Sequence, residues 1–555
     1  MHARWLLGLL WTLATPRIAP SQARAGAPDT TSRVVDRVFA ALSNTDRPGC
    51  ALGVGRNGRL IYEHGYGMAN LETATPINPT SIFHVASVSK QFTATAIMLL
   101  ARDGKLTVDD NIRKYVPEIP DYGTPITIRH LLTHTSGLRD QWSLLQLARG
   151  RFEENRITEA DVLDIVPRQK MLNFTPGAEY AYSNTGFTLL AVIVKRVSGK
   201  SLREFADERI FRPLAMTSTH FHDDYTMLVP GRTSAYAPIA GGWRVSIPNF
   251  DTYGATSLFT TVGDLLKWEA NFDSPVVGDR TIFEQMQTPG RLSNGDTLTY
   301  GFGLVMDRYR GVREVSHNGA DAGYRSYVGR FPDQGLTIAI ACNAATANTT
   351  VLAHGVADAY LGSVLAPVAA APVLQTVLVP MQTLQRRAGA YLDPKTMQVV
   401  ELSIRGDSLI VGRIAGPVLI PVAENRSRVT GQSVDFIFSD REHGGFQRQP
   451  LSGGRPVAFE WRPPAVATPS VLAAYAGDYY SEEVDARYRV IAGDSTISLR
   501  TGTASPMSAR PVFLDTFLGG GSTIQFMRDG ASVTGFEVSD VRMRRVRFRR
   551  IQSGR

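Results

Sequence analysis

Apolar positions along the chain follow two rhythms, and their order predicts the fold. Residues 32–42 read as an amphipathic helix. Residues 50–54 and 60–67 read as strands, with Arg56-Asn57-Gly58 between them as a hairpin turn. A helix follows that Ser87 opens and Asp103-Gly104 closes. Phe92, Ala96, Leu99 and Leu100 recur in it at helical spacing. After a polar, proline-bounded connection, residues 126–133 start a second helix that ends in Thr135-Ser136-Gly137, and a largely helical middle runs to about Gly199. Residues 254–272 read as a loop and then a helix, with Thr261 or Asp264 as its cap. Residues 324–331 and 336–342 are strands joined by Pro332-Asp333-Gln334-Gly335. Strand pairs at both ends with helices between them predict an α+β domain over residues 33–362, with one antiparallel sheet joining its two ends.

The texture changes beyond that domain. Residues 363–380 are rich in Ala, Val and Pro and read as a linker. Short alternating strands and glycine turns follow, and they repeat. Ala388-Gly389-Ala390-Tyr391 matches Ala476-Gly477-Asp478-Tyr479, Gly406-Asp407-Ser408 matches Gly493-Asp494-Ser495, and Phe438 matches Phe526. A period of this size suits two small antiparallel β-barrels, over residues 381–463 and 464–555. The arginine-rich stretch 541–551 reads as the last barrel strand, with Val541, Met543, Val546 and Phe548 inward, arginines outward and a β-bulge at Arg544-Arg545. The stretches 443–456 and 519–521 are long enough to reach over a neighbouring domain and are expected to shape access to the site.

A chain of 555 residues is too long for one ordinary core, and its 43% hydrophobic and 20% charged content is that of a globular protein. The net charge of +8 is modest for this size and does not imply nucleic acid. Residues 1–25 read as a signal peptide: Arg4 precedes a short apolar run, and Ala23-Arg24-Ala25 fits a small-x-small cleavage site. The expected protein is exported, periplasmic or secreted, with no membrane span once the signal is removed. The two cysteines, Cys50 and Cys342, can form no disulfide framework. An oxidising compartment permits one bridge, and two buried free thiols are the alternative.

Candidate chemistry starts at Ser87-Val88-Ser89-Lys90. Residues three apart share a face of a helical turn, so Lys90 is within reach of the Ser87 hydroxyl. A desolvated lysine can activate a serine as nucleophile. In Tyr182-Ser183-Asn184, the phenol can relay a proton and the amide can hold both the lysine and a substrate carbonyl. In His317-Asn318-Gly319, a strand edge can carry a side chain that faces the substrate, while glycine lets the backbone approach. The N–H of Ala320 can join that of Ser87 in an oxyanion hole.

The three motifs, in this order, resemble those of the penicillin-recognising serine hydrolases, whose pattern is S-x-x-K, Y-x-N and then K-T-G or H-x-G. The runs His130-Leu131-Leu132-Thr133-His134-Thr135-Ser136-Gly137-Leu138 and Tyr300-Gly301-Phe302-Gly303-Leu304 are similar to the same family. The resemblance covers residues 35–362 and implies a β-lactamase/transpeptidase-like domain. With two lipocalin-like barrels attached, the layout is most similar to the D-aminopeptidase branch. It implies acyl transfer with Ser87 as nucleophile and Lys90 or Tyr182 as base. Asn184, His317, Gly319 and Ala320 would line the substrate and oxyanion sites. No metal or organic cofactor is needed, and the partner is a small-molecule or peptide substrate. The sequence departs from the β-lactamase pattern at His317, where a lysine would be a permanent cation. An imidazole of ordinary pKa is mostly neutral above pH 7 and attracts a carboxylate only below about pH 6. That favours D-amino-acid peptides, amides or small esters. The alternatives are a D-Ala-D-Ala carboxypeptidase or weak β-lactamase, and a non-catalytic penicillin- or peptidoglycan-binding protein.

Overall fold

The computed structural model describes residues 30–150, 154–367, 375–441, 443–451, 454–502 and 505–551. The expected signal peptide lies outside the described residues, as does the middle of the expected linker.

One six-stranded antiparallel sheet organises the first domain. Its strands are β1 (Cys50–Arg56), β2 (Arg59–Tyr66), β3 (Val305–Tyr309), β4 (Val312–Asp321), β5 (Tyr324–Phe331) and β6 (Leu336–Cys342). They lie in the order β3-β4-β5-β6-β1-β2. The late strand β6 therefore pairs with the early strand β1, and this closes the two ends of the domain into one sheet. The register sets Cys50 directly against Cys342, and a disulfide joins them. The free-thiol alternative is thereby excluded.

Helices α1 (Thr30–Val38) and α6 (Thr349–Leu361) cover one face of the sheet, over a core that includes Leu52, Tyr327 and Ile340. The other face carries α2 (Ser89–Arg102), α3 (Gln141–Arg149), α4 (Asn184–Ser198) and α5 (Val262–Asp273). Helix α2 is not amphipathic: every residue from Ser89 to Leu100 is buried. It is the axis around which the helical layer packs, so the polar groups at its start have to find partners inside the protein. Helix α5 begins at Thr261, whose hydroxyl accepts from the Asp264 N–H at 3.2 Å.

Two closed eight-stranded antiparallel barrels follow, the first spanning Gly389–Leu392 to Val457–Arg462 and the second Gly477–Ser481 to Val546–Ile551. The internal repeat has a physical counterpart. Tyr391 and Tyr479 stand in the first strand of each barrel, and each donates its hydroxyl to the carbonyl four residues earlier, Arg387 at 2.8 Å and Tyr475 at 2.7 Å. Phe438 and Phe526 stand in the sixth strand of each and are buried.

The last strand starts later than the sequence suggests. It runs Val546–Ile551, and residues 540–545 form a loop. Arg545 has a left-handed φ of 52°, so the slip of phase at Arg544-Arg545 is a turn, not a bulge. Val541 is 69% exposed, not inward, whereas Met543, Val546 and Phe548 are buried. The loop meets the first domain, where Arg544 pairs with Glu179, while the Arg545 side chain donates to the Pro394 carbonyl of the first barrel. The Arg139 guanidinium donates to the carbonyls of Arg544 (3.0 Å) and Arg545 (3.2 Å), to Gln169 Oε1 (2.8 Å) and to the Glu483 carboxylate (2.6 Å) of the second barrel. Arg139 and Glu483 are both buried, and the further acceptors and donors around them offset the cost of taking two charges out of water.

Candidate active site

The Ser87 turn is built by its neighbours. Ala86 is held at a left-handed φ of 47°, and residues 86–88 form a single 3₁₀ turn ahead of α2. The Ser89 hydroxyl donates to the Ala86 carbonyl (2.5 Å) and accepts from the Leu258 N–H (3.0 Å), while the Val85 N–H donates to the Leu258 carbonyl (2.9 Å). Ser89 thus ties the strained turn to the strand Leu258–Thr260, and Ser87 keeps partial solvent access.

Lys90 is fully buried. Its Nζ lies 3.0 Å from Ser87 Oγ, 3.0 Å from Asn184 Oδ1 and 2.6 Å from the Ala255 carbonyl. Burial pulls its pKa down to about 7, against the opposing pull of the Asp321 and Asp140 carboxylates, and Arg542 lowers it further. The amide and carbonyl oxygens can only accept. A neutral amine therefore gives both its N–H bonds to them, which leaves its lone pair for the Ser87 hydroxyl. Tyr182 donates its hydroxyl to Ser87 Oγ at 2.9 Å, and burial drives the phenol pKa far up. In this geometry Lys90 can accept the serine proton and Tyr182 can donate one.

Asn184 is the first residue of α4, not its cap, which is Ser183. Its side chain spans Lys90 and Asp140. The Asp140 carboxylate accepts from the Asn184 main-chain N–H (2.7 Å) and side-chain amide (3.0 Å), and caps α3 through Trp142 N–H (3.0 Å). The Asp140 N–H in turn donates to the Arg542 carbonyl (3.2 Å) of the second barrel.

His317 lies on β4, 5% exposed. Its Nδ1 is 2.6 Å from the Asn318 carbonyl, so it carries the proton, and Nε2 accepts from the Tyr300 hydroxyl at 2.9 Å. Burial and the Lys90 charge push its pKa down to about 3. Protonation below about pH 6 is the expectation for an ordinary pKa; burial moves it to more acidic pH, so the imidazole is neutral over the ordinary range and holds two partners. Gly319 allows a close approach to the Ser87 turn itself. A Cβ there would lie 2.3 Å from the Val85 carbonyl oxygen and 2.2 Å from Ser326 Oγ. β4 can then run directly past the turn, with Ala320 exposed beyond it. Gly303, at φ 72°, similarly sits 2.9 Å from the Lys90 backbone, measured from the position a Cβ would take.

The structure thus brings Ser87, Lys90, Tyr182 and Asn184 into direct contact, with His317 joined through Tyr300 and Gly319 and Ala320 on the strand alongside. Asp140, Tyr300, Ser89 and Arg542 were not singled out from the sequence. Tyr300 stands in the Tyr-Gly-Phe-Gly run, and Asp140 lies two residues beyond the Thr-Ser-Gly-Leu run, so a signal existed for both. Arg542 had none, since its stretch reads as a barrel strand. Of the two stretches expected to reach the first domain, 443–456 does so, since Arg455 pairs there with Asp296 (3.2 Å), whereas in 519–521 Gly520 packs on Met507 of its own barrel. The stretch that meets Tyr182 is 540–545: the Arg542 guanidinium lies 5.2 Å from the Tyr182 ring centre.

Residues 35–361 match the Beta-lactamase family model. The match spans more than half of the chain, and the protein belongs to the beta-lactamase family; it is a serine hydrolase. Two relatives carry the name D-aminopeptidase. That of Cereibacter sphaeroides is 26% identical over 543 residues, 93% of this chain and 99% of its own length. That of Brucella canis is 27% identical over 398 residues, 70% of this chain and 73% of its own length. The octameric penicillin-binding protein homologue from Pyrococcus abyssi shares the fold, with a TM-score of 0.55 at 21% identity, covering 86% of this chain and all of that one. Among the described residues no helix is long and apolar enough to cross a membrane.

Proposed function

We propose that the protein hydrolyses amide bonds of D-amino-acid amides and short peptides through an acyl-enzyme on Ser87. The observation that carries this reading is the three-way contact of Lys90 Nζ with Ser87 Oγ, Asn184 Oδ1 and the Ala255 carbonyl, in a site where burial lowers the amine's pKa to about 7. Lys90 takes the hydroxyl proton as Oγ attacks the carbonyl carbon. The N–H groups of Ser87 and Ala320 hold the developing oxyanion. Tyr182 gives its proton to the leaving nitrogen and recovers one from the Lys90 ammonium. Water then attacks the ester along the same path in reverse and frees Ser87. The D-aminopeptidase relatives, one of which aligns over 93% of this chain, support the choice of D-amino-acid substrates.

Export is part of the same reading. It is supported by the signal-like residues 1–25 and by the Cys50–Cys342 bridge, which suits an oxidising compartment. The test of function is turnover of D-alanine amide, its L-enantiomer, a p-nitrophenyl ester and nitrocefin, with intact-mass detection of the acyl adduct. Preference for the D-amide with an adduct on Ser87 supports the reading. A non-catalytic penicillin-binding protein would give a stable adduct and no turnover.

A further inference from the structure

Among the described residues, the Arg542 guanidinium is an unpaired cation at the mouth of the site. The other arginines of the stretch 541–551 all have partners: Arg544 binds Glu179, Arg545 the Pro394 carbonyl, Arg547 Glu537, Arg549 Glu482 and Arg550 the Ala476 carbonyl. The Arg542 guanidinium has no hydrogen-bond or ion-pair partner among the described residues. It rests only against the Tyr182 ring. Its main chain, in contrast, is fixed at three points. Its N–H donates to Asp540 Oδ1 (2.7 Å), and its carbonyl accepts from Asp140 N–H (3.2 Å) and Asn173 Nδ2 (2.9 Å). A long side chain anchored at its base and free at its tip, beside the residue that donates to Ser87, is placed to bind something absent from the folded chain itself. The other nearby carboxylates, Asp140 and Asp321, do not compete for it, and Asp540 takes the Arg542 main-chain N–H. Asp140 is used by Asn184 and Trp142, and Asp321 by His84 (2.8 Å) and Thr256.

We infer that Arg542 is a specificity residue of the second barrel that binds a substrate carboxylate. This rests on the acyl-enzyme reading above and narrows it to substrates that carry an anion. His317 cannot supply the cation, because it is buried, neutral and committed to Tyr300 and Asn318. A guanidinium is a permanent cation with a planar fork suited to a carboxylate. Its place on the tyrosine face costs it little to leave, since a contact of that kind is weak at a part-exposed site. The carboxylate can come from a peptide C-terminus or from an acidic side chain, and the two are separable by substrate.

The experiment compares kcat/KM of wild type, Arg542→Gln and Arg542→Lys on three substrates: D-Ala-D-Ala, D-Ala-D-Ala amide and D-Ala-D-Glu amide. Read at about pH 9, above the Lys90 limb, the expected result is that Arg542→Gln lowers the ratio of kcat/KM on one or both carboxylate substrates to that on the neutral amide by about tenfold or more, mainly through KM. Arg542→Lys should recover part of the loss. Loss on D-Ala-D-Ala alone assigns the C-terminal carboxylate, and loss on D-Ala-D-Glu amide alone assigns the side chain. An equal loss on all three substrates, or no loss on any, overturns the inference while acyl labelling of Ser87 stands. Absence of any acyl adduct in wild type overturns the acyl-enzyme reading first, and this one with it. The substitutions leave the three main-chain anchors in place, and an unchanged thermal midpoint verifies that the loop remains seated.

Discussion

Asp140 binds Asn184 twice, through the main-chain N–H at 2.7 Å and the side-chain amide at 3.0 Å, and so fixes the oxygen of that amide on Lys90. The carboxylate positions the base without touching the nucleophile. Its charge also raises the pKa of Lys90. Asp140→Asn should therefore lower kcat by about ten- to a hundredfold, and it should move the acid limb of the pH profile to lower pH, because the stabilising anion is gone. A purely structural role would lower the rate and leave the limb where it was.

Ser87→Ala should abolish the acyl adduct and retain the fold. The side chain is small and partly exposed at the start of a turn that Ser89 holds in place, so its loss leaves little cavity. Intact-mass analysis after incubation with substrate or a fluorophosphonate tests this. An adduct on the variant would place the nucleophile elsewhere.

The pH dependence should show one acid limb, near pH 7. Lys90 acts as base only when neutral, and burial lowers its pKa to about 7. kcat/KM should then fall tenfold per unit below that value and level off above it. His317, at about 3, should contribute no limb between pH 5.5 and 8.5, and His317→Gln should keep the limb of the wild type. A second limb near pH 6 that vanishes in His317→Gln would contradict the buried, neutral imidazole.

How far the sequence carries is visible in particular residues. The hairpin at Asn57-Gly58, the strands Tyr324–Phe331 and Leu336–Cys342 and the two barrels were legible, because alternation and turn chemistry are local signals. The closing of β1 on β6 makes neighbours of Cys50 and Cys342, 292 residues apart in the chain, and no local pattern specifies that pairing. The contacts among Ser87, Lys90 and Tyr182 follow motifs, whereas the neutrality of His317 depends on burial, which spacing does not report. Residues 541–545 read as part of a strand because their alternation resumes at Val546 after one slip at Arg544-Arg545, which a β-bulge would absorb. What turns the chain is Arg545 at a positive φ, held by contacts with another domain.

Reduction of Cys50–Cys342 should cost about 2–4 kcal/mol of stability. The bridge closes a span of 292 residues across the central strands. Urea denaturation of the first domain with and without a reductant, and of Cys50→Ala/Cys342→Ala, measures it. Equal midpoints would show that the β1–β6 ladder alone holds the sheet.

Glu483→Ala should destabilise the junction of the second barrel with the first domain by about 3–5 kcal/mol, because it leaves the buried Arg139 guanidinium without its counter-charge. The same change should raise KM, since Arg139 holds the carbonyls of Arg544 and Arg545 beside the site. Denaturation followed by tryptophan fluorescence, together with kinetics below the transition, separates the two effects. Unchanged stability and KM would show that the junction rests on other contacts.

The arrangement of Arg542 against Tyr182 also bears on when the enzyme can work. Ser87 and its base are made early, and the arginine that meets their tyrosine comes 455 residues after Ser87 (542 − 87). A ribosome must pass through the whole hydrolase domain, the first barrel and almost all of the second before that group exists. A partly made chain then carries a nucleophile without the arginine that meets its tyrosine. Finished synthesis, not merely finished folding of the first domain, becomes the point at which the protein starts to choose among substrates.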